Sequence, residues 1–332
     1  MPSNVDALLA SMRGQEVLVV GDLMLDRYVH GTVDRVSPEA PVPVVRVESE
    51  RHAAGGAANV AANVTALGGT CHVVGCVGAD VEGDLLREAL AGAGIRTEGL
   101  VRTPTRRTTV KTRVLAQRHQ IVRVDRETDT VVDAATAAAL AEEVTRIGRS
   151  CDAIVVQDYD KGVLAASVVE AARACAVERR IPWVVDPKRR SFFAYAGATV
   201  LKPNARELAE ALSEPVRDAD PAWMEATRAR LGCEHLLVTL GDRGMALQSR
   251  AAELTRLAAV ARDVYDVSGA GDTVTAVVAL ALAAGAAACD AARVANHAAA
   301  VEVGKSGVRT VSPEEVRAHV RQHAAHPDVH TD

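Results

Sequence analysis

Asp266-Val267-Ser268-Gly269-Ala270-Gly271-Asp272 stands immediately before a 17-residue uncharged run, Thr273 to Cys289. Small residues let a backbone turn tightly and expose consecutive amide N–H groups, and a helix opened by such a turn directs the positive end of its dipole to the same point. The stretch therefore reads as an anion hole. An acid at Asp272, at the helix entrance, is placed where it can accept a proton from a hydroxyl attacking a phosphoryl group. The simpler reading of Gly-Ala-Gly-Asp, a turn and an N-cap, stays open on spacing alone. The run that follows is shorter than the ~20 apolar residues of a membrane span. It contains Gly285, lies between Asp272 and Asp290, and reads as a buried helix.

Outward from this point, short β-branched runs alternate with Ala/Leu-rich helical stretches. Strands are expected at Glu16–Val20, His72–Val77, Ala153–Gln157, Trp183–Val185, Thr199–Leu201 and His235–Thr239. Helices are expected at Ala57–Leu67, Gly83–Ala93, Ala134–Arg149, Val163–Glu178, Arg206–Leu212, Pro221–Leu231 and Ala291–Val303. That pattern belongs to an α/β fold, a doubly wound parallel sheet with helices on both faces. Two segments break the alternation: Tyr28–Val47, with Pro38, Pro41 and Pro43, and Arg106–Val124, rich in Thr, Val and Arg. Both read as antiparallel strands outside the main sheet, forming a small β-strand lid over the carboxyl ends of the strands. The expectation is one domain over residues 1–332, with lid strands at about 28–48 and 106–124 and a frayed polar tail over 319–332.

Composition narrows the function. With two Phe, two Trp and four Tyr, the chain lacks material for base-stacking platforms, and a formal charge of -5 gives no global attraction to nucleic acid or anionic lipid. An anionic ligand must be captured locally. The six cysteines form no CxxC pair, so reduced, mostly buried thiols are expected. Met1 to Glu16 carries Asp6, Arg13 and Glu16 and resembles no secretory signal, so the expected location is the cytoplasm.

Other motifs are weaker. Gly269-x-Gly271 half-matches a dinucleotide fingerprint whose third position is Val274. Gly304-Lys305-Ser306 resembles the end of a P-loop but follows a helical stretch instead of a strand. Gly55-Gly56-Ala57-Ala58-Asn59 allows a ligand close to the backbone, with Asn59 in reach, or close helix-to-sheet packing. Asp22 and Asp26 follow the first strand, where carboxylates suit sugar hydroxyls or serve as turn residues and caps. Asp186-Pro187-Lys188 and Lys202-Pro203-Asn204-Ala205-Arg206-Glu207 also follow strands and suit phosphate or metal-water contacts. His319, His323, His326 and His330 lack an HExxH arrangement and read as a solvated tail. For a phosphorylated substrate the local cations available are Arg113, Arg123, Lys161 and Lys188.

The early Gly55-Gly56 pair with Asn59 and the late Asp266 to Asp272 element, on this α/β pattern with two lid insertions, resemble the two signatures of the ribokinase-like (PfkB) carbohydrate kinases. Within that family the chain is similar to D-glycero-β-D-manno-heptose-7-phosphate kinases, through Gly21 to Tyr28, Ser37 to Val44, Gly55 to Ala61, Asp158-Tyr159 with Lys161-Gly162, Asp186-Pro187-Lys188 and Asp266 to Val274. The resemblance implies ATP-dependent phosphorylation of the anomeric hydroxyl of heptose 7-phosphate. Asp272 would be the base, and the amides of Gly269, Ala270 and Gly271 would hold the transferring phosphoryl group. Asn204 to Glu207, including Ala205 and Arg206, would lie by the nucleotide phosphates and Mg2+, with Glu207 nearest the metal. Thr239, Gly241, Gly244 and Asn296 would line the nucleotide pocket, and Asp266 would ligate a monovalent cation such as K+. The substrate side would comprise Asp22, Asp26, Gly55, Gly56, Asn59, Arg113, Arg123, Lys161 and Lys188. A homodimer through the lid is also implied. Asp160, Arg189 and Arg118-His119 depart from the family's usual residues and bear on substrate choice, leaving a kinase of another sugar or nucleoside as the alternative. A catalytically dead sugar-binding regulator would be signalled by Asn or Ala at position 272. The His-x-Gly-His element of a nucleotidyltransferase is not found, so that step is expected from another polypeptide.

Overall fold

The computed structural model describes residues 2–117, 119–261, 264–305 and 307–325. In chain order the elements are α1 (Pro2–Ser11), β1 (Glu16–Gly21), β2 (Leu23–Val36), β3 (Pro43–Gly56), α2 (Ala57–Ala66), β4 (Thr70–Gly78), α3 (Val81–Gly92), β5 (Arg96–Thr103), β6 (Val110–Ala116), β7 (His119–Arg126), α4 (Ala134–Gly148), β8 (Ala153–Gln157), α5 (Ala166–Arg179), β9 (Trp183–Asp186), β10 (Val200–Leu201), α6 (Ala205–Leu212), α7 (Pro221–Leu231), β11 (His235–Thr239), β12 (Met245–Ser249), β13 (Thr255–Leu257), α8 (Ala270–Ala283), α9 (Ala288–Val303) and α10 (Pro313–Ala325).

Nine strands form the main sheet in the order β13-β12-β11-β10-β9-β8-β1-β4-β5. β5 through β11 of that order run parallel, and β12 and β13 add an antiparallel edge. Strand side chains alternate between faces, so a parallel sheet covered on both sides buries every residue of its central strands. Val17, Val19, Ala153 and Val155 enter one core, with α1, α2, α3, α8, α9 and α10, while Leu18, Val20, Ile154 and Val156 enter the other, with α4 to α7. Trp183, Phe192 and Tyr195 are the largest fully buried side chains and all lie in the second core, leaving the first aliphatic and Ala-rich. This is an open, mostly parallel α/β sheet covered by helices on both faces. The chain leaves β1 in one direction for β4 and the other for β8, so a crevice opens outside the carboxyl ends there.

The small sheet has the order β3-β2-β6-β7. β2 pairs antiparallel with β3, and β6 with β7, but β2 and β6 join the two hairpins in parallel, so an all-antiparallel reading is corrected. Its strands start and end beyond the expected bounds, since β2 continues almost directly from β1 and β3 runs into α2. β5, β12 and β13, with the short helix α1, also lie outside the expected elements. The uncharged run from Thr273 to Cys289 is not one helix. Gly285, at φ +81°, turns the chain between α8 and α9, and α8 itself is buried along most of its length.

Residues 319–325 do not fray either: they complete α10, with Val316 and Val320 buried and Asp6 accepting from Arg317 and Arg321 at 3.0 and 3.2 Å. His319 and His323 pack edge-on against His297, and among the described residues no group of three His, Cys, Asp or Glu could hold a metal ion. Arg118, Ser306, His326 and His330 lie outside the described residues. All six cysteines are free thiols, buried except for the half-buried Cys289. No helix among the described residues is long and apolar enough to cross a membrane.

Candidate active site

Four strands of the parallel sheet deliver polar residues where their hydrogen-bonded ladders end. β1 is followed by Asp22, β8 ends at Gln157 and leads into Asp158-Tyr159, β9 ends at Asp186, and β10 is followed by Lys202 and Asn204. α8 arrives at the same point from the far end of the chain. Its N-cap Gly269 adopts φ +98°, and no side chain caps it. The N–H groups of the first turn have no intrahelical acceptor, so those at Gly269, Ala270 and Gly271 remain available to an anion. A Cβ at Gly269 would sit 3.0 Å from Asn59 Nδ2 and 3.1 Å from Glu302 Oε1, so the turn requires glycine by space as well as by φ.

Asp272 sits in the first turn of α8, 7% exposed. Asn59 Nδ2 donates to its Oδ2 at 2.7 Å, while the Tyr159 hydroxyl and Gln157 Nε2 donate to its Oδ1 at 2.7 and 3.2 Å. Burial pushes its pKa up to about 6, against the pull of Asn59 and Tyr159. Asn59 is held in turn at the start of α2, whose N-cap Gly56 adopts φ +62°. A Cβ there would lie 2.5 Å from the Asp22 carbonyl oxygen, so the Gly55-Gly56 pair lets α2 start against β2.

Beside Asp272, Lys202 and Asp186 form an ion pair at 3.0 Å with both side chains buried, and Gln157 also donates to Asp186 Oδ2 at 2.9 Å. Asp186 Oδ1 is buried without a partner. Glu207 and Asn204 form a capping box on α6, with Asn204 Oδ1 accepting from the Glu207 amide at 2.8 Å and Glu207 Oε2 from the Asn204 amide at 2.9 Å. The other Glu207 oxygen accepts from Lys188, whose Nζ also lies 5.5 Å from the centre of the Tyr159 ring. Burial opposes the charge on Lys188, but Asp186 and Glu207 hold its pKa above the usual lysine value.

These residues line a cavity of about 430 Å³ that continues past Thr239, Gly241, Gly244 and Asn296 and is walled by apolar side chains such as Val260, Val274 and Val303. Its far wall is pinned by Asn296 Nδ2, which donates to the Ala258 carbonyl at 2.7 Å. Gly244, at φ +88°, lets that segment pass, since a Cβ would lie 2.0 Å from the Leu257 carbonyl oxygen. The mixture of an apolar slot and a charged end suits a ligand with a ring and phosphates.

Several expected residues stand elsewhere. Asp22, 1% exposed, accepts from the backbone amides of Tyr159, Lys161 and Val163 at 2.8, 3.1 and 3.1 Å. It shapes the 159–163 loop, and its oxygens are not open to a sugar. Asp26 accepts from Arg113 at 2.5 Å. A Cβ on Gly55 would lie 2.4 Å from Asp26 Oδ2, so that glycine makes room for a side chain. Ala205 does not line the cavity, and Arg206 points to solvent, donating to Glu210 at 2.7 Å. Arg123 is half exposed and bound to Asp125, and Lys161 donates to Glu127 at 2.9 Å. Asp266 accepts from the Ser268 amide at 2.9 Å.

The sequence reading assigned no role to Gln157, Tyr159 or Glu302, and named Asp186 and Lys202 only within motifs suited to phosphate or metal-water contacts. Gln157 and Tyr159 stand at or just after a strand end, a signal that was available. Glu302 had none, lying inside an Ala/Val stretch of α9. It is fully buried, neither carboxylate oxygen has a partner within hydrogen-bond geometry, and burial pushes its pKa up to about 8 against the pull of the Arg309 amide.

Residues 15–315 match the pfkB family carbohydrate kinase profile. The chain belongs to the pfkB family of carbohydrate kinases. It is 42% identical over 315 residues to the bifunctional protein HldE of Pelobacter propionicus, covering 94% of this chain and 64% of that protein. To the HldE protein of Caulobacter vibrioides it is 47% identical over 310 residues, 92% of this chain and 63% of the other. The chain thus spans somewhat under two thirds of the length of these relatives. In fold it is similar to an Arabidopsis thaliana ribokinase complexed with ribose and ATP, with a TM-score of 0.70, 22% identity, and 93% of this chain and 99% of that one covered. It is likewise similar to Escherichia coli phosphofructokinase-2 in complex with fructose-6-phosphate, with a TM-score of 0.72, 17% identity, and 94% and 99% covered.

Proposed function

We propose that this carbohydrate kinase transfers the terminal phosphoryl group of ATP to the anomeric hydroxyl of D-glycero-β-D-manno-heptose 7-phosphate, giving the 1,7-bisphosphate. The observation that carries the phosphoryl chemistry is the buried Asp272 carboxylate at the uncapped N-terminus of α8, at the charged end of the cavity. The heptose assignment is supported by the sequence resemblance and by 42–47% identity to HldE proteins across the kinase region.

In this reading Asp272 takes the proton of the anomeric hydroxyl as its oxygen bonds to the γ-phosphorus and the bond from that phosphorus to the ADP oxygen breaks. A base with a pKa about 6 is ionised at neutral pH yet far better matched to proton transfer than an ordinary aspartate. Asn59 and Tyr159 aim the carboxylate, and the amides of Gly269, Ala270 and Gly271 receive the charge on the moving phosphoryl group. Lys202, tied to Asp186, adds a fixed positive charge near Gly271, whose Cβ position lies 3.5 Å from its Nζ. The adenosine end occupies the slot past Thr239, Gly241, Gly244 and Asn296.

The donor set fits Mg2+. It consists of hard oxygens, Asp186 Oδ1 is buried and unpartnered, and Asn204 and Glu207 stand on the same cavity wall. With no direct cage of three ligands among the described residues, the ion would be held mainly by nucleotide phosphates and water, with Asp186 and Glu207 in support. Bound there, it supplies neutralisation of phosphate charge. Asp266, with Glu302 and its two unpartnered oxygens close by, suits a monovalent cation. Val33, Val36, Val47, Val122 and Val124 are exposed on the small sheet and support a homodimer through it. A cytoplasmic location accords with these substrates.

The test is ADP release over heptose 7-phosphate, fructose 6-phosphate, ribose, fructose and adenosine, with wild type and Asp272→Asn. Heptose 7-phosphate is expected to give the highest kcat/KM, and the variant to lose about 10²- to 10⁴-fold in kcat with nucleotide binding kept. Near-normal turnover by a folded Asp272→Asn enzyme removes the base assignment. Preference for another acceptor removes the heptose assignment alone.

A further inference from the structure

Four side chains lie in register across the small sheet: Arg51 on β3 opposite Tyr28 on β2, Tyr28 opposite Arg113 on β6, and Arg113 opposite Arg123 on β7. Partners at one register position share a face. The neighbouring row on that face contains Asp26, Lys111 and Asp125. This face meets the active-site loop, because Lys111 and Lys161 share Glu127, at 3.3 and 2.9 Å, and Tyr159, two residues before Lys161, donates to Asp272. Tyr28 is also within electrostatic reach of Asp266.

The cations of the face differ in what already occupies them. Lys111 is held by Asp125 and Glu127, Lys161 by Glu127, Arg123 by both oxygens of Asp125, and Arg113 by Asp26. Arg51 forms no ion pair among the described residues. Its guanidinium lies 4.6 Å from the centre of the Tyr28 ring, while that of Arg113 lies 5.3 Å from the same centre. Stacking uses the π-face of a guanidinium and leaves its in-plane N–H edge free, oriented and ready for a bidentate oxyanion.

We infer that Arg51, laid on Tyr28 and assisted by Arg113, binds a phosphate monoester at the end of the sugar remote from the attacked hydroxyl. Arg51 precedes Gly56 by five strand residues, about 16 Å of β3. That spacing places its side chain for the far end of a substrate whose near end is at Asp272. The inference rests on the kinase reading above and names Arg51 as the residue that selects a phosphorylated acceptor, whereas Arg123 has its Nε and Nη2 engaged by Asp125.

The experiment compares kcat/KM for two pairs, heptose 7-phosphate against heptose and fructose 6-phosphate against fructose, in wild type, Arg51→Gln, Arg51→Lys and Arg46→Gln. Arg46, on the same strand, is exposed and paired with Asp34 at 2.7 Å, and serves as the control. Arg51→Gln is expected to raise KM for the phosphorylated member of the preferred pair about 10- to 100-fold, as for a lost charge-assisted contact, with kcat and the ATP KM unchanged. Arg51→Lys should fall between, since it keeps charge and loses the fork. The unphosphorylated sugar should be unaffected, as should every parameter of Arg46→Gln. A wild-type preference that survives Arg51→Gln overturns the role of Arg51 and leaves the kinase reading standing. A wild type with no preference for the phosphorylated member of either pair overturns the role of Arg51 together with the heptose 7-phosphate assignment, and leaves the phosphoryl chemistry at Asp272 standing.

Discussion

Replacing Tyr159 by Phe removes one oxygen and leaves the ring beside Lys188. In the folded enzyme the Tyr159 hydroxyl donates to Asp272 Oδ1 at 2.7 Å, stabilising the charged form of the base. A hydrogen bond to a charged group contributes about 1.5–3 kcal/mol. Gln157, at 3.2 Å from the same oxygen, takes up part of the loss, so the lower end applies. At 1.36 kcal/mol per unit, the Asp272 pKa should then rise by about one unit. The sign follows from the charge: losing a donor to a carboxylate disfavours the carboxylate. The acid limb of kcat/KM for the sugar, expected near a pH of about 6 in wild type, should move to about 7 in Tyr159→Phe. At pH ~6 this lowers the ionised fraction about fivefold, while above pH ~8 the two enzymes should nearly agree. The assay is ADP release from pH ~5 to ~9 at saturating nucleotide and magnesium, with the melting temperature of each protein as a check on folding. An acid limb that stays in place, or moves to lower pH, would refute the argument that Tyr159 tunes the base.

Asp272→Asn bears on stability as well as rate. A carboxyl whose folded pKa is raised from 3.8 to about 6 contributes stability that is full below pH 3.8 and lost as pH rises through about 6, so the charged group burdens the fold at neutral pH. Thermal melts at pH ~7 should show the variant within a few degrees of wild type, because removing a cost of about 3 kcal/mol offsets the weakened hydrogen bonds; a collapse of the fold would contradict this. Lys202→Met leaves buried Asp186 without its ion-pair partner and should cost about 3–5 kcal/mol in urea unfolding, with a loss below ~1 kcal/mol showing that Lys188 or water takes its place. Glu207→Gln retains a capping-box acceptor, so the melting temperature should hold while the magnesium needed for half-maximal rate rises; an unchanged magnesium titration with raised sugar KM would place Glu207 outside the metal's neighbourhood.

The sequence by itself determined the α/β class, because apolar strands of a sheet buried on both faces have a local signature, and Ala153–Gln157, His235–Thr239 and Pro221–Leu231 fall where the periodicity puts them. It also determined the two glycine turns, since Gly56 and Gly269 occupy left-handed conformations that other residues rarely adopt. The antiparallel edge of β12 and β13 was less legible, as short edge strands carry little periodicity. Which carboxylates are free for chemistry was decided only by the tertiary structure. Asp22, Asp26 and Asp272 are equivalent as letters, but Asp22 is consumed by three backbone amides, Asp26 by Arg113, and Asp272 alone ends beside the open amides of α8. The same holds for the cations, where Arg51 and Arg123 differ by the presence of one aspartate two residues along β7. Charge is written in the sequence, whereas its availability depends on burial and on partners far along the chain, 213 positions apart for Asn59 and Asp272, and those partners are set by packing.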